Sequence, residues 1–190
     1  MALEKLRIDH WAVALVTILF GLVGAGVFAL VNSLDMPFTM ISLFKLGLAP
    51  SLAIIALVGG IRGPLAGFLT GYIGVVTYDL LMYGTVVTLT IPALAYGVLG
   101  FVVGLASYDL SNGRSLAKLS ILSVVGLVFT GLLLVVISMF VEQIAVLAGI
   151  GFILLPLLTT GLPSVILITP VLARLWLAID QNVQLPWQTT

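Results

Sequence analysis

Long apolar runs separated by short polar or Gly/Pro-marked stretches set the pattern of this chain. A membrane-spanning helix needs about 20 mainly apolar residues. No charged side chain occurs between His10 and Leu34, which predicts a first helix over 11–32 that ends near Asn32. Asp35-Met36-Pro37 then breaks the chain. A shorter apolar run, Leu46 to Ile61, lies between Lys45 and Arg62. Both long side chains can snorkel, so the second helix is expected over 41–60. Gly63-Pro64 restarts the chain and opens a third helix over 64–83, followed by a fourth over 85–106. The polar stretch Ser107 to Ser115 separates these from a fifth helix over 117–140, and Glu142-Gln143 mark the next boundary. The last run, Ile144 to Ala173, is too long for one straight span, because its 30 residues would extend about 45 Å as a helix. Gly149, Gly151 and Pro156 suggest a break, and Pro156 suits a first helical turn, so the sixth helix is expected over 155–174.

Composition agrees with this pattern. The chain has 190 residues, 62% hydrophobic and 7% charged. Soluble domains carry about 45–50% apolar and about 25% charged residues. A soluble enzyme, a DNA-binding module and a disordered tail are therefore excluded. Seven Lys+Arg against seven Asp+Glu give zero net charge, so no global basic field points to nucleic acid. The expectation is an all-α polytopic membrane protein, one domain of six transmembrane helices over 1–190. The first apolar segment is too long for a cleaved signal peptide and reads as a retained helix. With six spans, Lys5, Arg7, Arg62, Arg114, Lys118 and Arg174 fall on one side and Lys45 alone on the other. This bias predicts cytoplasmic N- and C-termini and a place in the cell membrane.

The candidate chemistry is sparse. Cysteine is absent, and the one histidine, His10, stands beside Trp11 as an interfacial pair would. No GxSxG, HExxH or phosphate-loop motif occurs. The carboxylates form no spaced acid–base pair. The chain is thus expected to be neither an enzyme nor an ATPase, with no metal site of its own. Asp79 is the most informative residue, because an ionisable group inside a span costs several kcal/mol unless it is paired or hydrated. Helical spacing puts Tyr72, Asp79 and Tyr83 on one face. That face suits either a ligand contact or a hydrogen bond to a neighbouring helix. Other polar groups gather at the same outer level: Asn32 and Asp35, Lys45, Thr88 and Tyr96, Glu142 and Gln143, and Thr159, Thr160 and Ser164. Together they describe an outward pocket of the kind small-molecule binding needs. Gly63, Gly67 and Gly71 repeat every four residues, as do Gly100 and Gly104. Such ladders let helix backbones approach closely. Thr17, Gly21, Ala25 and Ala29 form a small-residue stripe on the first helix, suited to internal packing or to an intermolecular seam.

Several of these stretches resemble a known family. Leu48 to Ser51, Gly59-Gly60-Ile61-Arg62-Gly63-Pro64-Leu65-Ala66-Gly67 through Gly74, Tyr78-Asp79-Leu80, the run Tyr96 to Leu105, and Pro170 followed by Arg174 together resemble the substrate-binding (S) components of energy-coupling factor transporters. The resemblance implies a six-helix subunit that captures a vitamin or related micronutrient at its outer face. It also implies docking onto a transmembrane coupling (T) protein that carries two cytosolic ATPases. ATP would be used by those partners, and this chain would hold no cofactor. The substrate contacts expected on this reading are Asp79, Tyr83, Tyr96, Asn32, Lys45, Glu142 and Thr160. The coupling seam, by the family's Ala-xxx-Ala pattern, would be Thr17, Gly21, Ala25 and Ala29. Two other classes fit the residues: a membrane scaffold of cell-wall elongation machinery, and a stand-alone secondary transporter.

Overall fold

A computed structural model describes residues 11–34, 38–41, 44–85 and 91–182. Six helical stretches account for most of them. They are α1 (Trp11–Asn32), α2 (Pro50–Arg62), α3 (Pro64–Tyr83), α4 (Ile91–Gly104), α5 (Gly113–Val141) and a last helix, Val146–Gln181. Two short strands, β1 (Phe38–Ile41) and β2 (Phe44–Gly47), pair antiparallel between α1 and α2. Among the described residues, four helices are long and apolar enough to cross a membrane: α1, α3, α5 and the last. By length and composition they fit a membrane protein.

α2 sits at the centre. It packs against α1, α3, α4, α5 and the last helix. Nine of its 13 residues are buried, from Ser51 round to Gly60. At 13 residues it rises only about 20 Å, less than a bilayer core of about 30 Å. The β1–β2 hairpin precedes it, with Phe38 opposite Gly47 and Ile41 opposite Phe44. The second helix expected over 41–60 is thus corrected. It starts at Pro50, a residue suited to a first helical turn. The stretch before it is apolar but rich in aromatic and β-branched residues, and it pairs as strands. The fourth helix is described from Ile91; residues 86–90, Thr88 among them, lie outside the described residues.

The turn between α2 and α3 is a single residue. Gly63 has φ 105°, a conformation that side chains with a Cβ rarely adopt, and Pro64 opens α3. Glycines then bring α3 and α4 into backbone contact. A Cβ on Gly67 would meet the backbone of Gly100, one on Gly71 the carbonyl of Tyr96, and one on Gly104 the backbone at Gly63-Pro64. The glycine ladders are internal packing devices, as Gly67 and Gly100 show directly.

The loop after α4 is tied by its own polar groups. The Tyr108 hydroxyl donates to the Val103 carbonyl at 2.8 Å, near the end of α4. Burial pushes that hydroxyl above its usual pKa, so it stays a donor. Asp109 accepts from the Ser111 hydroxyl at 2.6 Å and from the Ser111 N–H at 3.0 Å. These bonds hold its carboxyl below the usual range. The Asn112 side chain caps α5 by accepting from the Arg114 N–H at 3.0 Å.

The last helix overturns the expected break before 155. It runs unbroken from Val146 to Gln181. Its turns widen into π-helix over Ile150–Leu154 and Ser164–Ile168. Each widened turn stands just ahead of a proline, Pro156 and Pro170. A proline in a regular α-helix removes one N–H and crowds the carbonyl four residues back. Widening the turn relieves that crowding while the helix continues. The carbonyl four residues before Pro170 belongs to Ile166, and it accepts from the Ser120 hydroxyl of α5 at 3.3 Å.

Candidate functional site

A cavity of about 360 Å³ lies where α1, α2, α3, α4 and the last helix converge. Its polar wall is built by Asn32 from α1, Ser51 from α2, Tyr78 and Asp79 from α3, Tyr96 from α4 and Thr160 from the last helix. Phe28, Leu52, Val75 and Leu157 supply the apolar wall. Each element contributes for a local reason. α1 ends at Asn32, where the apolar run stops, and the Asn32 side-chain oxygen accepts from the Ser51 hydroxyl at 2.9 Å. Val75, Tyr78 and Asp79 are spaced three and four apart, so they share one face of α3. That face turns inward because Gly74, one turn along, lies directly on the ring of Phe28.

The wall on the last helix is fixed by a relay of hydrogen bonds. The Thr160 hydroxyl donates to the Pro156 carbonyl at 2.8 Å. The buried Ser164 hydroxyl donates to the Thr160 carbonyl at 2.9 Å. Ser164 Oγ in turn accepts from the Ala49 N–H at 2.7 Å, in the short link between β2 and α2. The hairpin also packs on this helix through β2. Ala49 lines the cavity, so the relay joins two of its walls.

The lining carries one carboxylate, Asp79, and among the described residues no lysine or arginine. The chemistry on offer is a carboxyl group, two phenols, an amide and two hydroxyls in an apolar cup. That set can hold a cationic or hydrogen-bond-donating molecule with a flat apolar portion.

Four of the seven expected contacts meet here: Asp79, Tyr96, Asn32 and Thr160. Tyr83 does not line the cavity. It is 62% exposed and packs edge-on against Tyr78, with ring centres 6.4 Å apart. Glu142 is exposed at the end of α5, away from the cavity. Lys45 pairs with Met40 through its backbone in the hairpin, and its side chain lies outside the described residues, as does Asp35. Tyr78 and Ser51 were missed. The signal for Tyr78 was its spacing from Val75; pairing Asp79 with Tyr72 and Tyr83 chose the neighbouring face. Tyr72 instead stacks on Phe68, with centres 6.0 Å apart.

The small-residue stripe of α1 is also corrected. Gly21, Ala25 and Ala29 are buried within the chain. A Cβ on Gly21 would stand 2.8 Å from Leu69 Cβ, and the Gly21 carbonyl accepts from the Thr70 hydroxyl at 3.3 Å. Thr17 donates its hydroxyl to the Val13 carbonyl of its own helix. Three of the four residues of the expected seam are thus buried inside the chain, with Gly21 against α3, while Thr17 stays partly exposed. The outward face of α1 carries Leu15, Leu19, Leu22 and Leu30 instead.

The fold and cavity define a class: a bundle of apolar helices, fit for a membrane, enclosing a small, partly polar chamber. No family model, characterised protein or solved structure matches the chain.

Proposed function

We propose that this chain is a substrate-capture subunit of a membrane importer of the energy-coupling factor type, binding a small micronutrient in the Asp79 cavity. The observation that carries the reading is the cavity itself. Six polar side chains from five helices converge on a space of about 360 Å³, within the range of small-molecule sites. Asp79 accepts from a cationic or donor group of the ligand, while Tyr78 and Tyr96 flank its ring. On this reading six helices cross or enter the membrane, with α2 a short, mostly buried central member and α4 a second short one. The end bearing Arg62, Arg114, Lys118 and Arg174 faces the cytoplasm, with both termini. The cavity then opens outward. The chain has no nucleotide motif, so import draws on ATP hydrolysed by two cytosolic ATPases attached to a transmembrane coupling protein. That protein meets the apolar outer face of α1, since the small-residue stripe is already occupied.

The test is ligand retention. The protein is purified in mild detergent, and released small molecules are profiled by untargeted mass spectrometry beside Asp79→Asn. The reading predicts one compound, cationic or rich in donors, enriched with the wild type and lost from the variant. A profile identical in both proteins contradicts it.

A further inference from the structure

A second cavity lies on the other side of α1. It is about 380 Å³ in volume and runs between α1, α2 and the last helix. Its walls are apolar: Phe20, Val23 and Val27 of α1, Ile54 of α2, and Leu172 and Trp176 of the last helix. It extends along α1 from Phe20 to Val31, which is about 16 Å of helix. A long groove with walls of this kind suits an alkyl chain.

One end of the groove is charged. The Arg62 guanidinium lies 6.0 Å over the ring of Phe20, and Trp176 meets the same ring edge-on at 5.5 Å. Arg62 Nε is buried and has no hydrogen-bond partner among the described residues. A buried donor left unsatisfied is costly, the more so when charged. An anion at this end of the groove would balance the charge of the guanidinium, and no acidic residue lines the groove to do so.

We propose that the groove is a binding site for an anionic glycerophospholipid. One acyl chain lies along α1 between Val31 and Phe20, and the headgroup phosphate accepts from Arg62. The chemistry is a charge-assisted hydrogen bond at one end and dry packing along the rest. The site rests on the chain lying in a bilayer and not on its transporting anything, and it shares no lining residue with the Asp79 cavity.

The test is native mass spectrometry of the full chain released from nanodiscs of equal phosphatidylglycerol and phosphatidylcholine. The wild type is expected to retain one phospholipid, with about a tenfold preference for phosphatidylglycerol. Arg62→Gln should abolish the preference while a lipid is still retained. Val27→Trp, a change at a half-exposed position on the groove wall, should fill the groove and displace the lipid. The proposal is overturned by an absence of retained lipid or by an unchanged preference in Arg62→Gln. Equal lipid retention by Val27→Trp also overturns it, as does displacement of the lipid by millimolar inorganic phosphate, which would mark a free-anion site. Loss of substrate by Asp79→Asn is read separately, so the two sites fail independently.

Discussion

Asp79 and Tyr83 stand one helical turn apart on α3, yet only Asp79 reaches the cavity. The sequence made Asp79 conspicuous because a carboxylate inside an apolar run needs a reason. It did not reveal which side of the helix faces inward. That is decided by Gly74 lying on Phe28 and by the glycine contacts with α4, neither of which periodicity can rank. Thr160 and Asn32 were legible as polar residues at the right depth. Ser51 was not, because serine near a helix start is commonplace. At this scale Ser164 carries a distinct expectation. Its hydroxyl is the acceptor for the Ala49 N–H. Ser164→Ala leaves that donor unsatisfied at a cost of about 1–3 kcal/mol. Thermal unfolding in detergent should show a clear drop in midpoint, with ligand affinity reduced because Ala49 lines the cavity. An unchanged midpoint would show that the relay contributes nothing.

Among the elements, the end of α1 and the bounds of α3 were readable because strong punctuation flanks them: Asp35-Met36-Pro37 after one, Gly63-Pro64 before the other. The start of α2 was hidden. Phe38 to Gly47 is apolar enough to extend a helix, and a short apolar run gives no period to choose strand from helix. Pro50 was the available clue. The last helix was misjudged for the opposite reason, since Pro156 and two glycines look like a break. Widened turns before Pro156 and Pro170 let the helix pass through instead. Glycine positions give the clearest prediction here. Gly100→Ala would push a Cβ into the backbone of Gly67. Neither helix backbone can yield easily, so the overpacking cost of about 1–3 kcal/mol outweighs the gain of up to about 1 kcal/mol in helix propensity. Gly26 of α1 has open space around its Cβ direction, so Gly26→Ala should be neutral or stabilising. Unfolding midpoints for the pair should move in opposite directions or leave only Gly100→Ala lowered; equal midpoints would show that the α3–α4 contact is not tight.

For the whole molecule, the low charge content and the distribution of apolar runs made a bundle of helices apolar enough for a membrane legible from sequence. What sequence could not supply was the inside: a short buried α2 surrounded by five helices, a hairpin packed on the last helix, and two cavities of similar size but opposite character on either side of α1. One is polar on part of its wall and carries a carboxylate; the other is dry with an arginine at one end. The central claim is that the first of these captures a small molecule through Asp79. Its most direct measurement is equilibrium binding, by titration calorimetry, of the compound that co-purifies. Asp79→Asn removes an ionic hydrogen-bond partner worth about 1.5–3 kcal/mol, so affinity should fall about 10- to 100-fold. Tyr83→Ala, outside the cavity, should change it by much less. Unchanged affinity in Asp79→Asn would contradict the account.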